Sequence, residues 1–310
     1  MTLPAATRRR LITLLAFTTV YLVWGSSYLA IRVGVQELPP ALFAGSRFIL
    51  AGFLLGAYAR FTGQAFPASL REWQTIIVVG ALLLLGGNGL VVWGEQWVPS
   101  GLAALIVASA ALWIAYFGTL GPQGEALAPR SVVGLILGFA GVAVLVAPHG
   151  TSFSWTQLRG ELAVAIAAML WAAGTIYARR RKPSTPALMS AAMQMFSGGV
   201  LLCALGWSSG ESARWVWTTH GVLSLAYLTL FASCLAYSAY VWLMHAVSPA
   251  QLGTYAYVNP LIAVLMGNWL LAETLSQREV VGMLIILSGV VLVSTAYRRG
   301  KPAPTPEIPD

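Results

Sequence analysis

Ten apolar stretches follow one another along the chain, separated by short breaks rich in proline, glycine or charge. A helix needs about 20 mostly apolar residues to cross a bilayer. Because 9% of the residues are charged, against about 25% in soluble domains, the chain is predicted to be an all-α integral membrane protein. The approximate limits of its ten predicted transmembrane helices are 11–33, 41–60, 74–93, 100–120, 131–148, 160–179, 187–205, 221–243, 250–271 and 278–298.

The positive charges predict how these helices are oriented. A net charge of +8 also suits a nucleic-acid-binding protein, but Lys and Arg of membrane proteins accumulate in short cytoplasmic loops. With ten crossings and the N-terminus inside, both termini are predicted to be cytoplasmic, without a nucleic-acid partner. The cytoplasmic side then holds 13 of the 18 Lys and Arg residues: Arg8, Arg9, Arg10, Arg60, Arg71, Arg130, Arg179, Arg180, Arg181, Lys182, Arg298, Arg299 and Lys301.

The two ends of the chain and its cysteines add three smaller predictions. The N-terminal segment has the charge-then-apolar order of a signal peptide, but its apolar run is too long and lacks a small-residue cleavage site, so it predicts a retained first helix. Residues 300–310 are proline-rich and predict a disordered cytoplasmic tail. Cys203 and Cys234 lie in apolar runs without CxxC spacing and predict inert thiols. No metal site and no cofactor are predicted.

The two halves of the sequence resemble each other. The segment APRSVVGLILGFAGVAVLV (128–146) aligns with SQREVVGMLIILSGVVLVS (276–294), and this alignment pairs Gly134 with Gly282. The pattern predicts one five-helix repeat over residues 1–148 and a second over residues 151–299.

A second alignment indicates how the repeats are related. MLWAAGTIYARR (169–180) aligns less tightly with YLVWGSSYLAIR (21–32) at an offset of 147 residues, which pairs Trp24 with Trp171. Because five is odd, the second repeat starts on the opposite side of the membrane and is inverted. Inverted repeats are typical of transporters, whose substrate site lies near the midplane between the halves, although a membrane scaffold without transport activity can also contain repeats.

Five segments resemble the EamA family of the drug/metabolite transporter superfamily, which comprises ten-helix bacterial exporters. They are WGSSYLAIRVG, RFILAGFLL, VPSGLAALI, SPAQLGTYAYVNPLIAVL and AETLSQREVVG. The resemblance implies a location in the bacterial inner membrane. It also implies a basket in which helices one to four and six to nine surround a central cavity and helices five and ten are peripheral. The implied activities are export of amino acids and related metabolites, and of some toxic cations.

One departure from the family concerns helix bending. A proline inside a helix removes a backbone hydrogen bond and kinks the helix. Pro260 follows Asn259 in the ninth helix, and we predict a kink or gating role for it. The aligned positions of the fourth helix are Ala110 and Ala111, where the family often has proline. Symmetric bending of the two halves is therefore in doubt.

Polar and aromatic residues near the helix centres are the candidates for a substrate site, because such residues are costly in lipid and usually face a cavity. The set has no full charge and suits a small zwitterion, such as an amino acid. Asn88 could also cap an interrupted helix, Asn259 could bond the carbonyl freed by proline, and the tryptophans could serve core packing. The candidates are Trp24, Tyr28, Asn88, Trp113, Trp171, Gln194, Tyr237, Tyr257 and Asn259.

The charged residues predict the energy source. Asp and Glu are absent from the predicted helix centres, where a carboxylate would carry protons in an antiporter. Transport is therefore expected to be driven by the gradient of the substrate itself. Glu95 lies near the outer end of the third helix, and we expect it to pair with Arg32 or Arg47.

The leading hypothesis is an inner-membrane exporter of amino acids or related small metabolites that works by alternating access. The alternative is a drug or cation exporter, or a sugar or metabolite importer, of the same superfamily, with or without proton coupling. An enzyme is disfavoured because HExxH, GxSxG and clustered carboxylates are absent. GxxxG pairs at Gly52/Gly56 and Gly134/Gly138 favour internal packing over a dimer, so a monomer that contacts lipid and a small-molecule substrate is expected.

Overall fold

The computed structural model describes residues 5–122, 124, 127–146, 154–181, 184–247 and 255–297. Within these residues, consecutive helical segments form ten stretches, and their limits follow the predicted ones to within a few residues. They are α1 (Ala5–Glu37), α2 (Pro40–Phe61), α3 (Leu70–Gly94), α4 (Ser100–Gly118), α5 (Pro129–Val146), α6 (Trp155–Arg181), α7 (Ala187–Ser208), α8 (Thr219–Tyr227, Leu228–Leu235 and Ala236–Ala246 in succession), α9 (Tyr255–Leu271) and α10 (Gln277–Tyr297).

Length and apolar composition make most of these helices fit for a bilayer. In the described residues, seven are long and apolar enough to cross a membrane, namely α1, α2, α3, α4, α6, α7 and α8. Pro129–Leu145 in α5 and Val258–Leu271 in α9 are also apolar but shorter. Large apolar side chains such as Phe53 and Leu284 are exposed, which suits contact with lipid. The chain is therefore a multi-pass membrane protein, and the number of ten crossings stays a prediction.

Three helices depart from regular α geometry. α3 contains a π-helical segment at Ala81–Asn88, and α8 contains one at Leu228–Leu235. α4 is interrupted at Ser109, whose hydroxyl donates to the carbonyl of Ile106 at 2.6 Å. The sequence put symmetric bending in doubt because α4 lacks a proline. The structure interrupts α4 next to Ala110 nevertheless, while α9 continues through Pro260 as one helix.

Helix packing follows a twofold pattern. α2 packs against α7, and α5 packs against α10. The contacts of α1 with α8 and α9 have counterparts in the contacts of α6 with α3 and α4. Each pairing is thus preserved when a helix is exchanged for the one five places further along the chain.

Glycines bring the equivalent helices into backbone contact. A Cβ atom at Gly134 would lie 2.8 Å from the carbonyl oxygen of Gly289, and one at Gly141 would lie 3.0 Å from that of Gly282. Gly134 therefore faces Gly289 and Gly141 faces Gly282, so residue numbers increase along α5 in the direction in which they decrease along α10. The two helices are antiparallel. In α2, Gly52 likewise faces the backbone of α7. The interpretation of both GxxxG pairs as internal packing sites is confirmed.

Buried apolar side chains form two main clusters. The first joins α2 and α3 to α7 and α8 and includes Phe43, Phe48 and Leu202. The second joins α4 and α5 to α6, α9 and α10 and includes Ile106 and Ile286. Each cluster combines helices from both halves of the chain. The boundary predicted between the repeats, at residues 148–151, and the predicted tail at 300–310 lie outside the described residues.

Candidate functional site

A central cavity lies between the two apolar clusters and is lined by members of both. The centres of water-sized molecules can occupy a volume of about 120 Å³ in it. Its described lining comes from α1–α4 and α6–α9, and α5 and α10 contribute no described residue to it. Small side chains leave this space open, and they are Ala104, Ala108, Ala110 and Ala111 of α4 and Ala167 and Ala168 of α6.

Most of the residues singled out from the sequence meet in this cavity, namely Trp24, Tyr28, Asn88, Trp171, Tyr237, Asn259 and Pro260. Two others lie elsewhere. The ring centroid of Trp113 is 4.6 Å from that of Phe139 on α5, and Nε2 of Gln194 donates to the hydroxyl of Ser190 at 3.1 Å. The side chain of Tyr257 lies outside the described residues. A role in substrate binding stays a prediction for the whole set.

Trp24 and Trp171 each contact a π-helical segment. The indole N–H of Trp24 donates to the carbonyl of Ala232 in α8 at 3.1 Å. The ring of Trp171 approaches the segment in α3, where a Cβ atom at Gly87 would lie 3.1 Å from the ring. Both the tryptophans and the π-helical segments are 147 residues apart in the sequence. The structure therefore places this pair equivalently in the two halves.

Three tyrosines pack around Trp24. Its ring centroid lies 4.9 Å from that of Tyr240, 5.5 Å from that of Tyr255 and 6.4 Å from that of Tyr237. The contacts join α1 to α8 and α9. Aromatic faces of this kind can bind apolar side chains or attract an ammonium group. Tyr240 and Tyr255 were not singled out in the sequence, since both stand near predicted helix ends.

One full charge stands in the cavity wall. Arg47 of α2 is 5% exposed and lines the cavity. Its Nε donates to the hydroxyl of Ser233 at 2.8 Å, and its guanidinium carbon lies 4.7 Å from the ring centroid of Phe48. Its Nη1 has no hydrogen-bond partner among the described residues. The residues singled out from the sequence carry no full charge, and Arg47 adds one to the described lining.

Two further polar side chains of the lining differ in how they are bonded. The hydroxyl of Ser27 donates to the carbonyl of Trp24 in its own helix, which favours a packing role, and Thr175, outside the lining, bonds the carbonyl of Trp171 in the same way. Asn259 is different, because its Oδ1 is buried and has no partner among the described residues. It is therefore an acceptor whose hydrogen bond is not made by the described residues.

Polar contacts link the helices at the end of the molecule away from the tyrosines. The guanidinium of Arg32 donates to the backbone carbonyl of Glu95. The expected ion pair does not form, because both carboxylate oxygens of Glu95 are buried without a partner among the described residues. The carboxylate of Glu273 accepts from the backbone and hydroxyl of Ser100, at 3.0 and 2.7 Å, and from the backbone of Gly101 at 3.3 Å.

Comparison with known proteins decides the family. A model of the EamA-like transporter family matches the chain twice, over residues 11–147 and 158–295. The chain belongs to the EamA-like transporter family. Its relatives include a protein of Escherichia coli (strain K12), named as the uncharacterized inner membrane transporter YedA. That protein is 37% identical over 299 residues, which are 95% of either chain.

Two further comparisons extend this family assignment. The uncharacterized transporter YvbV of Bacillus subtilis (strain 168) is 30% identical over 94% of this chain and 93% of its own length. A crystal structure superposes with a TM-score of 0.65 at 24% identity, covering 93% of this chain and 98% of its own, and shows the shared fold. The family, these relatives and the apolar helices together make the chain a multi-pass inner-membrane transporter.

Proposed function

We propose that this EamA-like transporter exports amino acids or related small metabolites by alternating access. The observation that carries the proposal is the central cavity, whose wall combines aromatic rings and small apolar side chains with a few hydrogen-bonding groups. Ligand sites for small amphipathic molecules have this composition. The aromatic faces of Trp24 and Trp171 would hold the apolar part of such a substrate.

The proposed mechanism requires two inverted halves that rock against each other. The antiparallel contact between α5 and α10 supports this arrangement. A twofold axis that exchanges two antiparallel helices is perpendicular to both of them. If the two helices cross the membrane, this axis lies in the membrane plane, and the half that it generates is inverted relative to the other. With both termini cytoplasmic, as the charge distribution favours, α1 begins inside and α6 begins outside. We propose that the protein does this as a monomer.

The proposed energy source is the outward gradient of the substrate. No described residue of the cavity wall is an Asp or Glu, the side chains that usually carry protons at membrane depth. The charged side chain in the wall is Arg47, which stays protonated in proteins.

The test is efflux from proteoliposomes loaded with each of the common amino acids, and in parallel with glucose and with ethidium as a model cationic drug. We expect efflux of one or more amino acids without a pH gradient. Trp24→Ala and Trp171→Ala should reduce the rate about 5- to 150-fold if each ring contributes about 1–3 kcal/mol to substrate binding. Trp269→Ala is the matched control, because this ring is 77% exposed.

Two results would contradict the proposal. Efflux of ethidium or glucose with no amino acid efflux would favour the alternative functions. Accumulation of an amino acid against its gradient, driven by a pH gradient alone, would contradict the proposed energy source.

A further inference from the structure

The guanidinium of Arg47 is an incompletely satisfied cation inside the membrane. A charged side chain costs several kcal/mol at this depth unless it is paired, and an unpaired buried donor adds to that cost. The described surroundings supply one hydroxyl at Nε, one aromatic face and the nearby thiol of Cys234, and all three are neutral. Its Nη1 remains without a partner although the side chain is 5% exposed and lines the cavity.

The position of Arg47 is well defined by its neighbours. Its contact Ser233 follows Ala232, whose carbonyl accepts the indole N–H of Trp24. The guanidinium and the indole are thus held by adjacent residues of one π-helical segment. Preorganised donors of this kind bind a ligand without first losing their own freedom of motion.

The other half of the molecule lacks this charge. At the offset of 147 residues that relates the two π-helical segments, the counterpart of Arg47 is Gln194, and the counterpart of Ser233 is Gly86. Gln194 bonds within its own helix and does not line the cavity. A residue needed only to hold α2 and α8 together would be expected at both equivalent places, so the asymmetry favours a role toward a ligand.

We propose that Arg47 binds the carboxylate of the transported molecule through its guanidinium, as a specificity-determining residue; this rests on the proposed export of small metabolites. An Arg guanidinium matches a carboxylate in charge and in hydrogen-bond geometry. Among the described lining residues it is the one charged side chain. It can therefore neutralise a monoanion, whereas a phosphate dianion would keep an unpaired charge in the cavity.

A second buried atom without a described partner, Oδ1 of Asn259, indicates which group the substrate carries beside its carboxylate. The side chain of Asn259 lines the cavity; once this amide turns toward a bound molecule, its oxygen accepts from a donor and disfavours a second carboxylate. A cation without an acid group gains nothing from Arg47 and is repelled by it. The two side chains together select a molecule with one carboxylate and one N–H donor, as in a zwitterionic amino acid.

The test measures binding of three probes that share one skeleton: phenylalanine, 3-phenylpropionate and 2-phenylethylamine. Binding to the full-length protein in detergent is followed by tryptophan fluorescence, since Trp24 and Trp171 line the cavity. The wild type should bind phenylalanine at least about tenfold more tightly than the amine, because the amine lacks the carboxylate that pairs with the guanidinium. It should also bind phenylalanine more tightly than 3-phenylpropionate. Arg47→Gln should remove the preference over the amine.

Two variants keep the test independent of folding. Arg47→Lys retains the charge without the planar fork and should bind phenylalanine at an intermediate affinity. Arg214→Gln is the matched control, because it removes a charge whose side chain is 63% exposed, and it should bind like the wild type. If Arg47→Gln does not fold, Ser233→Ala, which frees the guanidinium from its orienting hydroxyl, should still weaken binding of phenylalanine but not of the amine.

The outcomes separate this proposal from the proposed export. If phenylalanine binds through Arg47 but no amino acid leaves loaded proteoliposomes, amino acid export is wrong and the carboxylate site stands. If amino acids leave equally fast and with the same KM through wild type and Arg47→Gln, export stands and the carboxylate site is wrong. Wild-type protein that binds neither acid at millimolar concentration, or binds the amine as tightly as phenylalanine, also overturns the carboxylate site.

Discussion

Adding one methyl group at Gly289 should separate α5 from α10. A Cβ atom there would lie 2.6 Å from the carbonyl oxygen of Gly134 and 2.6 Å from the backbone nitrogen of Gly138. These obstacles are backbone atoms of a helix, so no side-chain rotation relieves them. Restoring ordinary contact at 3.4 Å requires the helices to separate by about 0.8 Å in a densely packed interface.

The cost of Gly289→Ala follows from that separation. Overpacking of a close interface costs about 1–3 kcal/mol, and here the dispersion contacts along both helices weaken as well. We therefore expect Gly289→Ala to lower the free energy of unfolding by about 2–3 kcal/mol, measured by titration with a denaturing detergent. Because α5 and α10 contribute no described residue to the cavity, the KM of the folded fraction should not change.

Gly118→Ala is the matched control, since a Cβ atom there meets no heavy atom within 4 Å. Alanine is the better helix former by about 1 kcal/mol, so this variant should be as stable as the wild type or slightly more stable. The reasoning is refuted if Gly289→Ala unfolds at the same detergent fraction as the wild type. It is also refuted if both alanine variants lose the same stability.

Two more variants test contacts of the described helices. Glu273→Ala leaves the first turn of α4 without its acceptor, and the unsatisfied buried donors should lower the free energy of unfolding by about 2–4 kcal/mol. The control Glu279→Ala removes an exposed helix cap and should lower it by about 1 kcal/mol. Equal losses in the two variants would contradict the role given to Glu273. Trp24→Phe keeps an aromatic ring but loses the bond to Ala232, so it should destabilise the protein by about 1 kcal/mol and raise KM, whereas Trp113→Phe should leave KM unchanged. Both pairs are measured by the same denaturation and efflux assays.

Hydrophobicity and repetition in the sequence predicted the helices and the equivalence of Trp24 with Trp171, because length and apolar composition are local properties. The π-helical segment at Ala81–Asn88 was not predictable, since ALLLLGGN carries no signal for a wider turn and Asn88 indicated at most an interruption of the helix. Trp113 shows a second limit. Depth along a helix can be estimated from the sequence, but a helix that is apolar all round does not indicate which face meets the cavity.

Arg47 was missed for a related reason. Arg47 lies in the third turn of α2, and this position suggested that it stands near the outer end of a transmembrane helix, where water can solvate a charged side chain. The structure buries it because α2 packs against α7 and α8 along its length, which turns the side chain inward. Tertiary packing, rather than local sequence, decided whether this residue belongs to the site.

The matching π-helical segments in α3 and α8 bear on the history of the chain. A π-helical turn holds one residue more than an α-helical turn and commonly marks a functional position. Two such insertions at the same place, 147 residues apart, are most simply one insertion that was copied when an ancestral gene doubled. On that account we expect the two halves to descend from one five-helix protein that already had the wide turn. A present-day five-helix relative should carry the same turn in its third helix.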